Sequence, residues 1–259
     1  MIKKLGFQVY TVRDHLADAE QMDKTFEALA GIGYTEVHTA GQKISDELFF
    51  NLLSKHGIKI IGSHYDYGAI VGDYETTVAT HRLWGTTNIG LGGMPKAART
   101  DLGELRKFIK TYNEAAKYYS ELGFRLTYHN HAFEFVRIDG YKTVMDILCE
   151  QLDPDNVTFV LDTCWVAAGG GDVTAWMRRL AGRIEILHLK DLFLMKNAEC
   201  GHLVPQMCEV GYGNLDWDSI IRTAEEIGVK HYVVEQDRNF TGNSVESLRM
   251  SAEFLQRYM

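Results

Sequence analysis

The sequence predicts one (β/α)8 barrel, the TIM-barrel fold, as a single domain over residues 1–259. Short apolar segments rich in β-branched residues alternate with helical patterns, and this alternation repeats eight times. Such alternation favours parallel strands, because each helix carries the chain back across the sheet before the next strand begins. The predicted strands are 5–10, 34–39, 58–65, 88–93, 125–131, 157–163, 184–191 and 232–237.

The predicted helices carry apolar residues at three- and four-residue steps, the period of a helix with one buried face. The clearest of them end in glycine, as helices often do, and cover residues 22–33, 46–57, 101–123 and 218–228. An open doubly wound sheet is the alternative fold. It is disfavoured because the first strand runs into Gln8 and Tyr10 rather than into a GxGxxG loop.

Composition and charge exclude several classes of function. The 259 residues include 27 basic and 35 acidic side chains, a net charge of −8, without a block of Lys and Arg. Binding to nucleic acid or to an anionic membrane surface needs clustered cations, so neither partner is expected. No apolar run reaches about 18 residues, so no membrane span is expected. The first residues lack an export signal and the four cysteines form no CxxC pair, which predicts a cytoplasmic protein with reduced thiols.

One segment breaks the regular alternation. Between the seventh predicted strand and a helix near Trp217, residues 192–215 show no clear helical pattern. Long loops in compact domains are often functional, and a loop after a barrel strand lies near the mouth. We predict that this segment covers the active site, with Gly211 and Gly213 as a hinge. The alternatives are a fixed excursion of the chain and a contact in a homo-oligomer.

The last four predicted strands end in residues that bind metal ions. Glu134 follows the fifth strand, and Asp162, His188 and Glu235 end the sixth, seventh and eighth. The C-terminal ends of barrel strands converge on one mouth, so these four side chains are expected to meet. Carboxylates with one imidazole suit Mn²⁺, Mg²⁺ or Co²⁺, with Zn²⁺ as a further option. The sequence therefore predicts one divalent metal ion, for which Mn²⁺ is preferred.

The chain resembles the sugar phosphate isomerase/epimerase family, whose barrel is shared with xylose isomerase and endonuclease IV. The segments that carry this resemblance extend over the whole chain. They are GFQVYTVRD at 6–14, YHNHAFEF at 128–135, LDTCW at 161–165, LHLKD at 187–191, GYGNLDW at 211–217 and VVEQD at 233–237. The resemblance implies a xylose isomerase-like TIM barrel that acts on a sugar or keto-sugar.

The resemblance places the family's metal site on Glu134, Asp162, His188 and Glu235. The first assignment has alternatives, because ketose 3-epimerases of this barrel carry the fifth-strand glutamate on the strand itself, where this chain has Thr127–Tyr128. Either Glu134 reaches back to the metal, or His129 or His131 takes its place. Glu134 is the preferred ligand at this stage.

The predicted reaction is proton abstraction next to a sugar carbonyl, through an enediolate that a metal ion stabilises. Glu134 and Glu235 are the predicted acid–base pair, because carboxylates on opposite faces of the sugar would allow epimerisation. Lys190 is expected to stabilise the enolate oxygen. Aromatic rings, including that of Phe7, are expected to stack on the sugar. The candidate substrate-binding residues are Gln8, Tyr10, His64, His131, Trp165 and Arg238.

Other functions are possible for the same barrel. A lyase would take a 3-keto-glycoside, remove the C2 proton and expel the C1 substituent. Endonuclease IV-like DNA repair would need three zinc ions and a basic groove, which the net charge of −8 disfavours. A non-catalytic sugar-binding barrel is a fourth interpretation. The only phosphate-site candidate, residues 91–99, is weak, so an uncharged sugar is expected.

Overall fold

Eight parallel strands form the barrel in a computed structural model that describes residues 1–196 and 201–259. Hydrogen bonds link them in the order β3-β2-β1-β8-β7-β6-β5-β4, and a bridge between Tyr65 and Leu91 joins the two edges. All eight predicted strands are confirmed. They are β1 Leu5–Gln8, β2 Tyr34–Ala40, β3 Lys59–His64, β4 Asn88–Leu91, β5 Arg125–His129, β6 Val157–Asp162, β7 Ile184–Leu189 and β8 His231–Val234.

Ten described α-helices surround or connect these strands. They are α1 Ala19–Ile32, α2 Asp46–Lys55, α3 Tyr67–Gly72, α4 Tyr74–Trp84, α5 Leu102–Glu121, α6 Val144–Gln151, α7 Thr163–Ala168, α8 Val173–Arg179, α9 Trp217–Ile227 and α10 Ser244–Leu255. The four predicted helices correspond to α1, α2, α5 and α9. Each of the ten begins after an Asp, Ser, Thr or Asn whose side chain accepts a backbone hydrogen bond from the first turn.

The segment after β7 is not an irregular loop, which corrects the expectation from sequence. Asp191–Lys196 and Leu203–Cys208 pair as an antiparallel hairpin, although residues 197–200 of the predicted cover lie outside the described residues. The Asp191 carboxylate accepts hydrogen bonds from the backbone N–H groups of Gly211 and Gly213, at 3.0 and 3.1 Å, and from the Trp217 indole. These bonds tie both glycines to the end of β7 and argue against a hinge at either one.

Two apolar clusters support the site. The large outer cluster lies between strands and helices, and it includes Phe7, whose ring packs against Phe26 and Tyr34 rather than at the mouth. The small cluster contains Ile61, Val160, Ile186 and Val233. The last three precede Asp162, His188 and Glu235 by two residues, so the period of a strand directs both sets to the same face. The polar side chains of the site therefore lie directly above this small apolar cluster in the barrel interior.

Among the described residues, no helix is both long and apolar enough to span a membrane.

Candidate metal centre and active site

Four buried side chains meet at the carboxyl ends of consecutive strands. His129 ends β5, Asp162 ends β6, His188 lies near the end of β7, and Glu235 directly follows β8; one donor atom from each lies within 4.8 Å of the other three. Nδ1 of His188 is 2.9 Å from Oε2 of Glu235, and Nε2 of His129 is 3.4 Å from Oδ2 of Asp162. All four are at most 4% exposed, so their polar groups need internal partners.

Several of these polar atoms have no hydrogen-bond partner. Both ring nitrogens of His129 and Oδ2 of Asp162 are buried and unpartnered. The other oxygen of Asp162 caps α7 by accepting a hydrogen bond from the Trp165 N–H at 2.9 Å, so one carboxylate serves the helix and leaves an oxygen free. Unpartnered buried groups are costly, and a cation would satisfy them. Two imidazoles and two carboxylates fit a divalent ion of the Mn²⁺, Fe²⁺, Co²⁺ or Zn²⁺ type.

The structure does not bring Glu134 into this cluster, which corrects the preferred ligand assignment. Glu134 lies in a 3-10 turn, Ala132–Phe135, beyond the end of β5. Its Oε1 accepts a 2.6 Å hydrogen bond from the Tyr128 hydroxyl, and its Oε2 accepts a 2.7 Å bond from the His131 N–H. Burial raises the pKa of Glu134 to about 8, despite these two donors. His129, the alternative considered from sequence, stands in its place.

Lys190 joins the cluster as a buried cation. Its Nζ is 2.8 Å from Asp237 Oδ2, 3.3 Å from Glu235 and 3.5 Å from Asp162. Burial alone would lower the pKa of Lys190, but the charges of Glu235, Asp162 and Asp237 raise it above its ordinary value. The side chain therefore remains an ammonium group. Thr163 fixes its backbone, accepting from the Lys190 N–H and donating to the Lys190 carbonyl.

A second layer of histidines orients His188. Its Nε2 lies 3.1 Å from Nδ1 of His38, which also receives the Gln8 amide at 3.0 Å. If a cation bound Nδ1 of His188, Nε2 would carry the ring proton and donate a hydrogen bond to His38. Metal-bound histidines commonly use their second nitrogen in this way. Gln8 is fully buried, and its side chain contacts His38 rather than the cavity in which contact with substrate was predicted.

A cavity of about 270 Å³ opens above the cluster. Its lining residues are Tyr10, Ala40, His64, Gly92, His129, His131, Lys190, Glu235 and Asp237. The predicted substrate contacts Tyr10, His64 and His131 thus face this space. Trp165 is not among the lining residues, and its ring centroid lies 4.9 Å from the Lys190 ammonium. Arg238 is exposed and outside the lining.

Burial also sets the charge of the lining histidines. It lowers the pKa of His64 to about 3 and that of His131 to about 4, with help from His188 for the first and Lys190 for the second. Both rings are therefore neutral near pH 7 and can accept a proton. Burial would raise the pKa of Glu235, but Lys190 and His188 hold it well below its usual range.

Another cavity, of about 320 Å³, lies at the opposite end of the barrel and is lined by Asn88, Arg125 and Lys230, among others. In TIM-barrel enzymes that end contributes to stability, whereas the carboxyl ends of the strands carry the chemistry. The 270 Å³ cavity is therefore the candidate active site.

Comparison with known proteins identifies the family. The model of the xylose isomerase-like TIM barrel family matches residues 26–258. The chain belongs to this family. An inosose dehydratase from Mesomycoplasma hyopneumoniae (strain J) is 24% identical over 190 residues, which cover 66% of this chain and 62% of that relative. The chain thus matches less than two thirds of the relative's length.

Two solved structures share this architecture. A sugar phosphate isomerase/epimerase from Parabacteroides distasonis superposes with a TM-score of 0.82 at 22% identity, covering 99% of this chain and 94% of that one. A probable 3-DHS dehydratase from Bacillus anthracis superposes with a TM-score of 0.72 at 14% identity, covering 98% of both chains. At these identities the likeness shows the fold alone.

Sequence reasoning assigned no role to two residues of the site. Asp237 and His38 are not among the predicted site residues, yet Asp237 pairs with Lys190 and His38 with His188. The signal was present in the run Glu235-Gln236-Asp237, which places two carboxyl groups two residues apart at the mouth. Alternation along an extended segment sends such residues to the same side.

Proposed function

We propose that this protein is a divalent-metal-dependent lyase acting on a small, uncharged keto-polyol. It removes the proton beside the carbonyl and expels the hydroxyl group from the next carbon. The observation that carries the proposal is the make-up of the site: a neutral imidazole, His131, and a buried ammonium–carboxylate pair, Lys190–Asp237, line the cavity above the candidate metal ligands. The Glu134–Glu235 pair on which the prediction of an epimerase depended is not assembled.

In the proposed reaction His131 is the base. It takes the proton from the carbon beside the carbonyl, and the C–H electrons form the double bond of an enediolate. A bound divalent cation would polarise the substrate carbonyl. The electrons then return to expel the hydroxyl group, which leaves as water with a proton supplied through the Lys190–Asp237 pair. The substrate loses one hydrogen and one hydroxyl group in total. His131 later returns its proton to solvent, and the Lys190–Asp237 pair takes one proton back from solvent, so the site ends in its starting state.

Charge balance favours an uncharged substrate. With a divalent cation bound, Asp162, Glu235 and Asp237 would be ionised and Lys190 protonated. These side chains then sum to −2, which the cation neutralises. The lining histidines His64 and His131 are neutral near pH 7 and add no charge to the cavity. A phosphate or carboxylate on the substrate would therefore enter without an opposing charge, a costly transfer into a buried site.

The arginines at the mouth are already engaged. Arg13 donates to the carbonyls of Tyr10 and Asp237, at 2.8 and 2.7 Å. Arg99, in the segment considered for phosphate binding, donates to the Met94 carbonyl.

The cavity volume of about 270 Å³ is below the range of about 300–1,000 Å³ usual for drug-sized ligands, which suits a single sugar or cyclitol ring. The names of two compared proteins, inosose dehydratase and 3-DHS dehydratase, support elimination of water as the reaction class.

Epimerisation is the second candidate. His131 beyond β5 and Asp237 beyond β8 enter the cavity from different strands, so two proton-transfer groups could flank one substrate carbon. Both reactions begin with the same proton abstraction. They differ in the product, which is an epimer in one case and a dehydrated ketone in the other.

The deciding experiment follows proton abstraction and product together. Mn²⁺-loaded protein is incubated in D₂O with a keto-inositol, methyl 3-keto-glucoside and free ketohexoses, and products are followed by NMR and mass spectrometry. We expect loss of the proton beside the carbonyl and a product lighter by one water. His131→Gln should abolish both changes while the metal content, measured by atomic spectrometry, stays the same. An epimer of unchanged mass would favour the second candidate, and absence of exchange with every substrate would refute both.

A further inference from the structure

The imidazole of His131 lies within an aromatic stack. The Phe133 ring is parallel to it within 12°, with centroids 5.1 Å apart, and the Trp165 ring lies 5.6 Å away at 41°. His131 and Phe133 belong to the turn beyond β5, whereas Trp165 belongs to α7, so two separate elements contribute to the stack. Among the described residues, no carboxylate forms a hydrogen bond with the His131 ring, the usual means of orienting a catalytic histidine.

Cations hold both outer members of the stack. The Arg99 guanidinium carbon lies 3.9 Å from the Phe133 centroid, within the range of a cation–π contact. Two hydrogen bonds from Arg99 to the Met94 carbonyl fix that guanidinium in turn. At the inner end the Lys190 ammonium lies 4.9 Å from the Trp165 centroid. The stack therefore extends from the half-buried rim to the candidate metal cluster and is secured at each end.

We infer that Phe133 and Trp165 are positioning residues that set the ring plane of His131. This inference rests on the proposed function, in which His131 abstracts the proton. A histidine without a hydrogen-bonded carboxylate lacks one restraint on its terminal torsion, which has a broad minimum. The stacked rings restrict that rotation. Since a displacement of about 1 Å can lower a rate by roughly a hundredfold, the restriction has a direct effect on catalysis.

The test replaces Phe133 by Leu, which keeps an apolar side chain of similar reach but removes the stack. Deuterium exchange beside the carbonyl of a keto-inositol should fall about tenfold in kcat, with KM changed less than about twofold, because positioning acts on the reaction more than on binding. Phe133→Tyr keeps the ring and should retain near wild-type kcat. Phe135→Leu is the matched control, since Phe135 lies in the same turn but packs edge-on against Trp176.

A second readout needs no substrate. The ring protons of His131, assigned by comparison with His131→Gln, should shift in the NMR spectrum of Phe133→Leu because the ring current of the neighbouring aromatic is lost. They should not shift in Phe135→Leu.

The outcomes separate the two proposals. An unmoved His131 signal in Phe133→Leu would overturn the stack itself, whatever the activity. A moved signal with unchanged kcat would overturn the positioning role. If wild-type protein exchanges no proton from any substrate, the proposed function fails, and the NMR comparison still decides whether the stack orients His131.

Discussion

Replacing Lys190 by Met tests whether the buried ammonium compensates the carboxylates of the site. Met keeps the length and apolar stem of the side chain but leaves Asp162, Glu235 and Asp237 without their cation. Removing one partner of a buried ion pair costs about 3–5 kcal/mol of stability. At about 2–4 °C per kcal/mol for a chain of this size, we expect the Tm in EDTA to fall by roughly 10 °C.

The same variant should depend more strongly on metal. Without Lys190 the ionised carboxylates sum to −3 rather than −2, so a divalent cation relieves more repulsion in the variant than in the wild type. The difference in Tm between Lys190→Met and the wild type should therefore be less than half as large in saturating Mn²⁺ as it is in EDTA. Thermal denaturation followed by circular dichroism, in EDTA and in Mn²⁺, measures both quantities.

The stability that Lys190→Met loses should depend on pH with a definite sign. Burial and the charge of Glu235 raise the pKa of Asp237, and burial raises that of Asp162, while Lys190 lowers both. Removing Lys190 raises both further. A carboxyl with a raised pKa favours the folded state at low pH and loses that advantage as pH rises. The difference in stability from wild type should thus be larger at pH 8 than at pH 5.

The matched control is Lys230→Met, because Lys230 pairs with Glu185 at 2.8 Å on the surface and is 62% exposed. Exposed pairs contribute about 0–1 kcal/mol, so its Tm should change little in either buffer. A Lys190→Met protein that loses less than about 2 °C in EDTA, or gains no more from Mn²⁺ than the wild type, would refute the reasoning.

Three further predictions follow from the same site. Glu235→Gln should keep the fold, bind Mn²⁺ more weakly by calorimetry and lose about a hundredfold or more in turnover; activity within about threefold of wild type would remove Glu235 from the site. Burial raises the pKa of Glu134 to about 8, so its carboxyl group stabilises the folded wild type at pH 5 and progressively loses that contribution up to pH 8. The free energy of unfolding of Glu134→Gln, measured by urea titration, should therefore rise relative to that of the wild type over this range. A difference between the two proteins that stays constant with pH would contradict the raised pKa. Deleting residues 198–205, partly outside the described residues, should cut turnover with circular dichroism and metal content unchanged; a broken oligomer with intact activity per site would mark the hairpin as an assembly element instead.

The fold was predictable because its signals are local and repeated. Each strand is a short apolar run, and several helices end in glycine, as at Gly33 and Gly228, whose positive φ angles close α1 and α9. Helix α4 was not predicted because, although Asp73 caps its N-terminus, its apolar periodicity is weaker than that of the four predicted helices. The hairpin after β7 was missed because Pro205 interrupts the pattern of an ordinary strand.

The sequence by itself determined that Asp162, His188 and Glu235 would meet, since parallel strands bring their carboxyl ends to one mouth. Only the tertiary structure shows that the side chain of His129, and not that of Glu134, joins this cluster. The choice depends on whether a buried carboxylate finds donors nearby, and Glu134 finds them in the Tyr128 hydroxyl and the His131 N–H once β5 ends and the chain turns. Strand period is encoded residue by residue, whereas this satisfaction of hydrogen bonds exists only after the chain has folded.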